Sequence, residues 1–385
     1  MARSLTVGLR YKHQDEWVGG VYYVRNLVSA LGLLPEPRRP RLVIVGGDKQ
    51  ALEDLRAATG YPDVRRLSRA RIESRPAPRW PWPIPRPKGE EISVLLMGAP
   101  PGLEARGVQW IPDFQEHRFP NFFPPDELAA RYRRNTDWFA RHRHVMVSSE
   151  DVAGDVRRYY GGHGAQVHVV RFASFVPAEV LSADVGALRA RYGLPERYFI
   201  CNNQLWRHKN HRVILSALAE LKGQRPIPPV VLTGKEADYR DPDYAPSLRR
   251  MAAELGVQDQ LRFLGFLPRT DQLGLMKGAL AVIQPSLCEG WSTVIEDAKA
   301  LGRHVLASDI AVHREQLGRN ADLFGADAPA ALARLLDRYA EAGPQPGPTD
   351  YAAAKQRFAK DLERMIADVD RDLSRRRALR LMIKT

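Results

Sequence analysis

The chain has 385 residues, more than one hydrophobic core normally serves, and its 44% apolar and 27% charged residues are those of a folded globular protein. Two cysteines exclude an oxidised disulfide scaffold, and no run approaches the about 18 apolar residues of a membrane span. A formal net charge of +13 points to an anionic partner, with nucleic acid and anionic lipid the two classes to weigh.

Met1–Ser4 leads straight into a short strand, Leu5–Leu9, so a cytoplasmic protein is expected, peripheral at most on the inner membrane face. After a loop, Trp17-Val18-Gly19-Gly20 opens a helix that sets Val21, Val24, Leu27, Val28 and Leu31 on one face. Two glycines at a helix start let a ligand approach the backbone, and they equally suit a plain turn. Between Arg65 and Lys88, eight basic residues surround Trp80 and Trp82 in a stretch whose six prolines forbid a regular helix. Such a basic and aromatic loop suits either contact with anionic lipid or a solvated insertion. The strand from Val108 ends in a loop carrying Asp113, Glu116, His117 and Arg118. Gly161-Gly162-His163-Gly164 follows a helical pattern and reads as a helix stop rather than a dinucleotide fingerprint.

In the second half, Tyr198–Asn203 reads as a buried strand that runs through Gln204, Arg207, His208 and Lys209 into a helix over Val213–Leu221. A cationic loop at a strand's carboxyl end can neutralise a departing diphosphate. Two further strands close at Gly234 and at Gly265, followed by Phe266 and Leu267. A strand over Ala281–Gln284 then precedes Glu289-Gly290-Trp291-Ser292-Thr293-Val294-Ile295-Glu296, with a helix beginning near Thr293. Helix-start amides suit a diphosphate and flanking carboxylates suit hydroxyls, while capping acids on an ordinary turn are the alternative. Last comes an amphipathic helix with Phe358, Leu362, Met365, Ile366, Val369 and Leu373 on one face, ending in a basic cluster from Arg375 to Lys384. Alternating strands and helices predict α/β halves with parallel sheets.

Pro285-Ser286-Leu287-Cys288-Glu289-Gly290-Trp291, running on to Glu296-Asp297-Ala298-Lys299-Ala300, resembles the two-glutamate motif of the retaining glycosyltransferases of GT-B architecture. The resemblance implies two facing Rossmann-like domains across a cleft, with a C-terminal helix crossing back to the first. The first domain is then 1–177 on the acceptor side, followed by a linker over 178–195, a donor domain over 196–347 and the returning helix at 350–385. It also implies roles. Glu289 meets the donor sugar's hydroxyls, the amides of Gly290, Trp291, Ser292 and Thr293 meet the diphosphate, and Glu296 holds the ribose. Lys209 is the cation of the second loop. Gln204 stands where the family usually has an arginine, so Arg207 is expected to supply that charge. Gly234, Gly265, Phe266 and Leu267 approach the nucleobase, and Gly19 and Gly20 face the diphosphate or acceptor. In the Val108–Pro120 loop, Asp113 orients an acceptor hydroxyl, and His117 hydrogen-bonds the donor sugar or relays a proton, a surface histidine being the alternative. One departure stands out: the family usually has seven residues between its acids, and six separate Glu289 from Glu296.

The function implied is transfer of a sugar, with retention, from a nucleotide diphosphate sugar to a glycan or lipid-linked hydroxyl acceptor in surface polysaccharide assembly, with no metal cofactor. A sugar-nucleotide epimerase or hydrolase of the same build is the nearer alternative. A nucleic-acid binder is the more distant one, since no helix-turn-helix, zinc-finger or RNA-binding signature accompanies the charge.

Overall fold

In a computed structural model of the chain, residues 5–11, 18–46, 49–67, 92–99, 103–318, 320–341, 343–344 and 350–382 are described. The first sheet consists of β1 (Thr6–Leu9), β2 (Arg41–Val45), β3 (Val64–Leu67), β4 (Val94–Leu96), β5 (Gly107–Trp110), β6 (His144–Val147) and β7 (Gln166–Val169), in the order 3-2-1-4-5-6-7. A second sheet holds β8 (Phe199–Asn202), β9 (Val230–Thr233), β10 (Leu261–Gly265), β11 (Val282–Gln284), β12 (Val305–Ser308) and β13 (Ala321–Phe324), in the order 10-9-8-11-12-13. All pairings are parallel. The central strands are therefore covered on both faces and apolar along their length, as in Phe199-Ile200-Cys201 and Val230-Val231-Leu232, all at most 1% exposed. The two halves are Rossmann-like, as the sequence implied.

The helices are α1 (Val18–Gly32), α2 (Lys49–Thr59), α3 (Gln115–Arg118), α4 (Pro125–Arg141), α5 (Glu150–Tyr160), α6 (Ala178–Leu181), α7 (Val185–Arg191), α8 (His211–Glu220), α9 (Tyr244–Leu255), α10 (Arg269–Gly278), α11 (Thr293–Ala300), α12 (Ala311–Gln316), α13 (Pro329–Ala340) and α14 (Tyr351–Met382). On α1 the apolar positions recur at helical spacing, and Val21, Val24, Leu27, Val28 and Leu31 enter the first core beside Leu9, Leu42 and Ile44. The segment read as a linker contains α6 and α7, whose Val180 and Leu188 pack into a second-half cluster with Leu273, Met276 and Ile295. Helix α5 starts at Ser149, whose hydroxyl accepts from the Val152 amide at 3.1 Å. It stops at Tyr160, ahead of a short turn over Gly161–His163 and a left-handed Gly164 at φ +65°.

Helix α14 returns to the first half. Phe358, Leu362, Met365, Ile366 and Val369, each at most 3% exposed, complete the core under α1, and Arg38 forks onto Glu363. Among the described residues no helix is long and apolar enough to cross a membrane. The arginine- and proline-rich stretch from Ser68 to Lys88 lies outside the described residues, as do Trp17 and Lys384, while Arg65 and Arg66 belong to β3. In each sheet the strand order reverses once, between β1 and β4 and between β8 and β11. Ligands of open α/β sheets collect beyond the carboxyl ends of strands at such a reversal, which directs attention to the loops after β8 and β11.

Candidate active site

Those two loops lock together. After β8, a turn over Arg207–Lys209 ends at Asn210, a left-handed residue (φ 56°) whose side-chain Nδ2 donates to Pro285 O at 3.1 Å and Ala326 O at 2.8 Å. The Leu287 amide donates to His208 O at 2.8 Å. Lys209 and Glu289 are thereby brought face to face, with Nζ 2.5 Å from Oε1. The same oxygen also accepts from Gln284 Nε2 at 2.9 Å and Ser286 Oγ at 2.7 Å, while Oε2 has no partner among the described residues. Burial alone would raise the Glu289 pKa, but the Lys209 charge and these hydrogen bonds outweigh it and hold the carboxylate below its usual value. Glu289 is thus a charged, fixed carboxylate with one oxygen left to accept a hydroxyl.

The first half closes over this pair. A methyl on Gly290 would sit 1.5 Å from Pro112 O, so the glycine is what lets the two loops touch. Asp113, next along, is raised above the ordinary carboxylate range chiefly by burial and further by the facing Glu289 charge, against hydrogen bonds from Gln115. Asp113 and Glu289 therefore share one cleft. His117 has other partners: Nε2 is 2.9 Å from the Tyr160 hydroxyl, and the ring stacks on Tyr159 at 4.0 Å within an aromatic group that includes Phe114 and Tyr132. Burial lowers its pKa, and no bond joins it to Lys209 or Glu289 among the described residues. Gly19 is exposed at the start of α1 with open space where a Cβ would be, and Gly20 is buried behind it.

The remaining candidates separate into those on the cleft side and those holding the halves together. Gly234, at φ +139°, meets the chain at Asn203 so closely that a Cβ would lie 2.3 Å from its carbonyl oxygen, which brings the ends of β8 and β9 together beside Gln204. Gly265 and the exposed Phe266 border open space, with Lys235 Nζ 5.5 Å from the Phe266 ring, and Leu267 is buried. The Trp291 indole donates to Phe172 O at 3.1 Å and packs on the first core, so its side chain is an interdomain wedge. Ser292 caps α11 through Ile295 N, and its own amide donates to Gln316 Oε1 at 2.9 Å. That amide is consumed, whereas the amides of Thr293 and Val294 have no acceptor among the described residues. Arg207 is exposed and its guanidinium lies 4.6 Å over the Phe122 ring, with no bond to the Lys209–Glu289 pair. Among the described residues no group of three His, Cys, Asp or Glu side chains is arranged to hold a metal ion.

Glu296 is 1% exposed and both its oxygens are occupied, Oε1 by Lys299 Nζ at 2.8 Å and Gln316 Nε2 at 3.0 Å, Oε2 by the Tyr351 hydroxyl at 2.6 Å. The acid at a seven-residue spacing from Glu289 is its neighbour, Asp297. Asp297 Oδ1 accepts from Arg269 Nη2 at 2.6 Å and Ser174 Oγ at 2.5 Å, and Oδ2 is buried without a partner. Arg269 in turn lies 4.4 Å over the Tyr22 ring of α1. Counting the family spacing to either acid, not only to glutamate, singles out Asp297 beside Glu296.

Residues 187–356, which carry every feature of the second half just described, match the family of glycosyl transferases group 1. The D-inositol 3-phosphate glycosyltransferase of Streptomyces scabiei is 28% identical over 242 residues, 59% of this chain and 53% of that protein. Its namesake in Mycobacterium tuberculosis strain F11 is 31% identical over 171 residues, 43% of this chain and 34% of that protein. The chain thus spans about half the length, or less, of these curated relatives. In three dimensions it resembles a Rickettsia africae glycosyltransferase, with a TM-score of 0.62 at 13% identity over 96% of this chain and 97% of that one. HepE of Anabaena, solved in complex with UDP-glucose, has a TM-score of 0.58 at 15% identity over 97% and 99% of the two chains. At such identities these likenesses establish the fold, the two facing Rossmann-like domains of the GT-B architecture.

Proposed function

We propose that the protein transfers a sugar from a nucleotide diphosphate sugar to a hydroxyl acceptor with retention of configuration. One observation carries this reading: Glu289 is held by Lys209, Gln284 and Ser286 through one oxygen and leaves the other free, at the reversal point of the second sheet and ahead of the α11 amino end. The free oxygen accepts from a donor-sugar hydroxyl. Lys209 and the amides of Thr293 and Val294 meet the diphosphate as its negative charge grows. In the step itself the bond from the anomeric carbon to the phosphate oxygen breaks and a bond to the acceptor oxygen forms on the same face. The acceptor's proton passes to the departing phosphate oxygen, while Asp113 orients the acceptor. The ribose is assigned to Asp297, supported by its spacing and its unpaired Oδ2, and competes there with Arg269. The match of residues 187–356 to group 1 supports the same chemistry.

A panel of nucleotide sugars tests the reading on the full chain. At 100 times its dissociation constant a true donor stabilises the fold by about 2.7 kcal/mol, so one member should raise the melting temperature and the rest should not. The same member should be consumed in the presence of an acceptor, and Glu289→Gln should lose most of that turnover. A panel with no stabilising member and no consumption would refute the proposal.

A further inference from the structure

Beside the Asp113–Glu289 cleft, where the loop after α3 meets the loops after β8 and β9, a cavity of about 340 Å³ is walled by Phe122, Phe123, Arg207, Asp238, Arg240 and Asp241. That volume is within the range of small-molecule sites. Its floor is rigid and neutral. Arg240 and Asp238, with side chains 5% and 1% exposed, form an ion pair at 3.1 Å, and the guanidinium is sandwiched 4.7 Å from the Trp206 ring and 5.1 Å from the Phe123 ring. Two charged groups remain for an occupant. Arg207 has only the Phe122 ring as a partner, and Asp241 has no side-chain bond or ion pair among the described residues.

The chemistry of these walls is selective. A phosphate would gain Arg207 but face the unpaired carboxylate of Asp241, which cancels that charge, so the cavity is a poor anion site. An apolar ligand would cover Phe122 and Phe123 while stripping water from Arg207 and Asp241 without replacing its hydrogen bonds. A pyranose ring offers what both surfaces need. One face presents C–H groups to an aromatic ring, and its rim of hydroxyls donates to a carboxylate and accepts from a guanidinium. A chain of hydrogen bonds joins its floor to the cleft. Arg240 Nη1 lies 3.4 Å from Gln115 Oε1, and Gln115 donates through Nε2 to Asp113 Oδ2 at 3.1 Å and through its amide to Asp113 Oδ1 at 3.3 Å.

We infer that this cavity is an acceptor subsite for a neutral saccharide unit, next to the unit whose hydroxyl is glycosylated. The inference rests on the transfer reading above and adds that the acceptor is at least a disaccharide. Since the walls come from both halves of the chain, a bound saccharide unit also favours the closed arrangement.

The test uses the full chain, its Phe122→Ala and Asp241→Asn variants, and methyl glucosides, galactosides and mannosides offered as mono- and disaccharide acceptors with the stabilising nucleotide sugar. The wild type should show a lower KM for one disaccharide than for its monosaccharide. Each variant should raise the disaccharide KM about tenfold or more, a difference of 1.4 kcal/mol, with the monosaccharide and donor KM values unchanged. Variants that leave the disaccharide KM as it was, or raise both acceptor KM values alike, would overturn the subsite while leaving the transfer reading intact. Absence of any donor binding would instead remove the transfer reading. The cavity is then still judged by saturation-transfer NMR of the same disaccharides. A saturation signal given by the wild type and abolished in Phe122→Ala supports it, and a wild type that saturates none of them overturns it. Stabilisation of the wild type by inorganic phosphate that vanishes in Arg207→Gln would mark an anion site and also overturn it.

Discussion

At Gly290 the whole cleft depends on a missing side chain. An alanine methyl would lie 1.5 Å from Pro112 O, backbone against backbone, so neither loop can yield without the halves moving apart. Gly290→Ala should therefore leave donor binding by the second half measurable while cutting transfer by at least about tenfold, each 1.4 kcal/mol of lost closure being a factor of ten. Turnover equal to the wild type would show that closure does not depend on this contact. Asp297 and Glu296 can be separated by chemistry at the ribose. With a 2′-deoxy donor the wild type should lose affinity and Asp297→Asn should lose little more, whereas Glu296→Gln should keep the full difference between the two donors. Both conclusions show what one dimension can convey. The meeting of Lys209 with Glu289 was legible because both follow the carboxyl ends of strands in one parallel sheet. Adjacent acids were not, since which of Glu296 and Asp297 is fully bonded depends on Tyr351, Gln316 and Arg269, all distant in the chain. Nor could Arg207 be foreseen resting on Phe122, a residue of the opposite half.

Helix α14 gives the clearest case at the scale of elements. Its stripe of Phe358, Leu362, Met365, Ile366 and Val369 was legible from helical spacing alone, and in the structure those residues are at most 3% exposed. Leu362→Ala should cost about 2–5 kcal/mol, read as a lower urea midpoint, and a change within error would mean that the helix is not part of the first core. Strands were equally legible where they are buried on both faces, as at β8 and β9. The short helices α6 and α7 were not. Pro177, Gly193 and Pro195 punctuate that segment like a linker, and only packing against Leu273 and Met276 shows that Val180 and Leu188 have a core to enter. The surroundings of His117 were not legible for a related reason, because its loop position says nothing of the Tyr159 and Tyr160 rings, supplied by α5, that enclose it.

Across the whole molecule, buried histidines make the fold sensitive to acid. Burial, and then the facing His144, lower His168 to about 4 despite nearby Asp368, and burial lowers His211 to about 3. Because these folded-state values lie below the unfolded value of 6.5, the unfolded chain binds more protons between about pH 4 and 6.5. Stability is then complete above about pH 6.5 and is lost as pH falls through that window. Going from pH 7 to pH 5, His168 alone should remove on the order of 2 kcal/mol, partly offset by carboxyls that burial raises, such as Asp155. Urea midpoints at the two pH values check this, and a midpoint higher at pH 5 would contradict it. Finally, the returning α14 means that, among the described residues, the polypeptide passes between the halves after β7 and again between α13 and α14. The Ser174 amide donates to the Tyr351 hydroxyl at 2.6 Å, so the two crossings lie side by side and act as one hinge, which resists sliding. The jaws should therefore gape along a single arc, and each closure should bring Asp113 back to Glu289 in the same alignment.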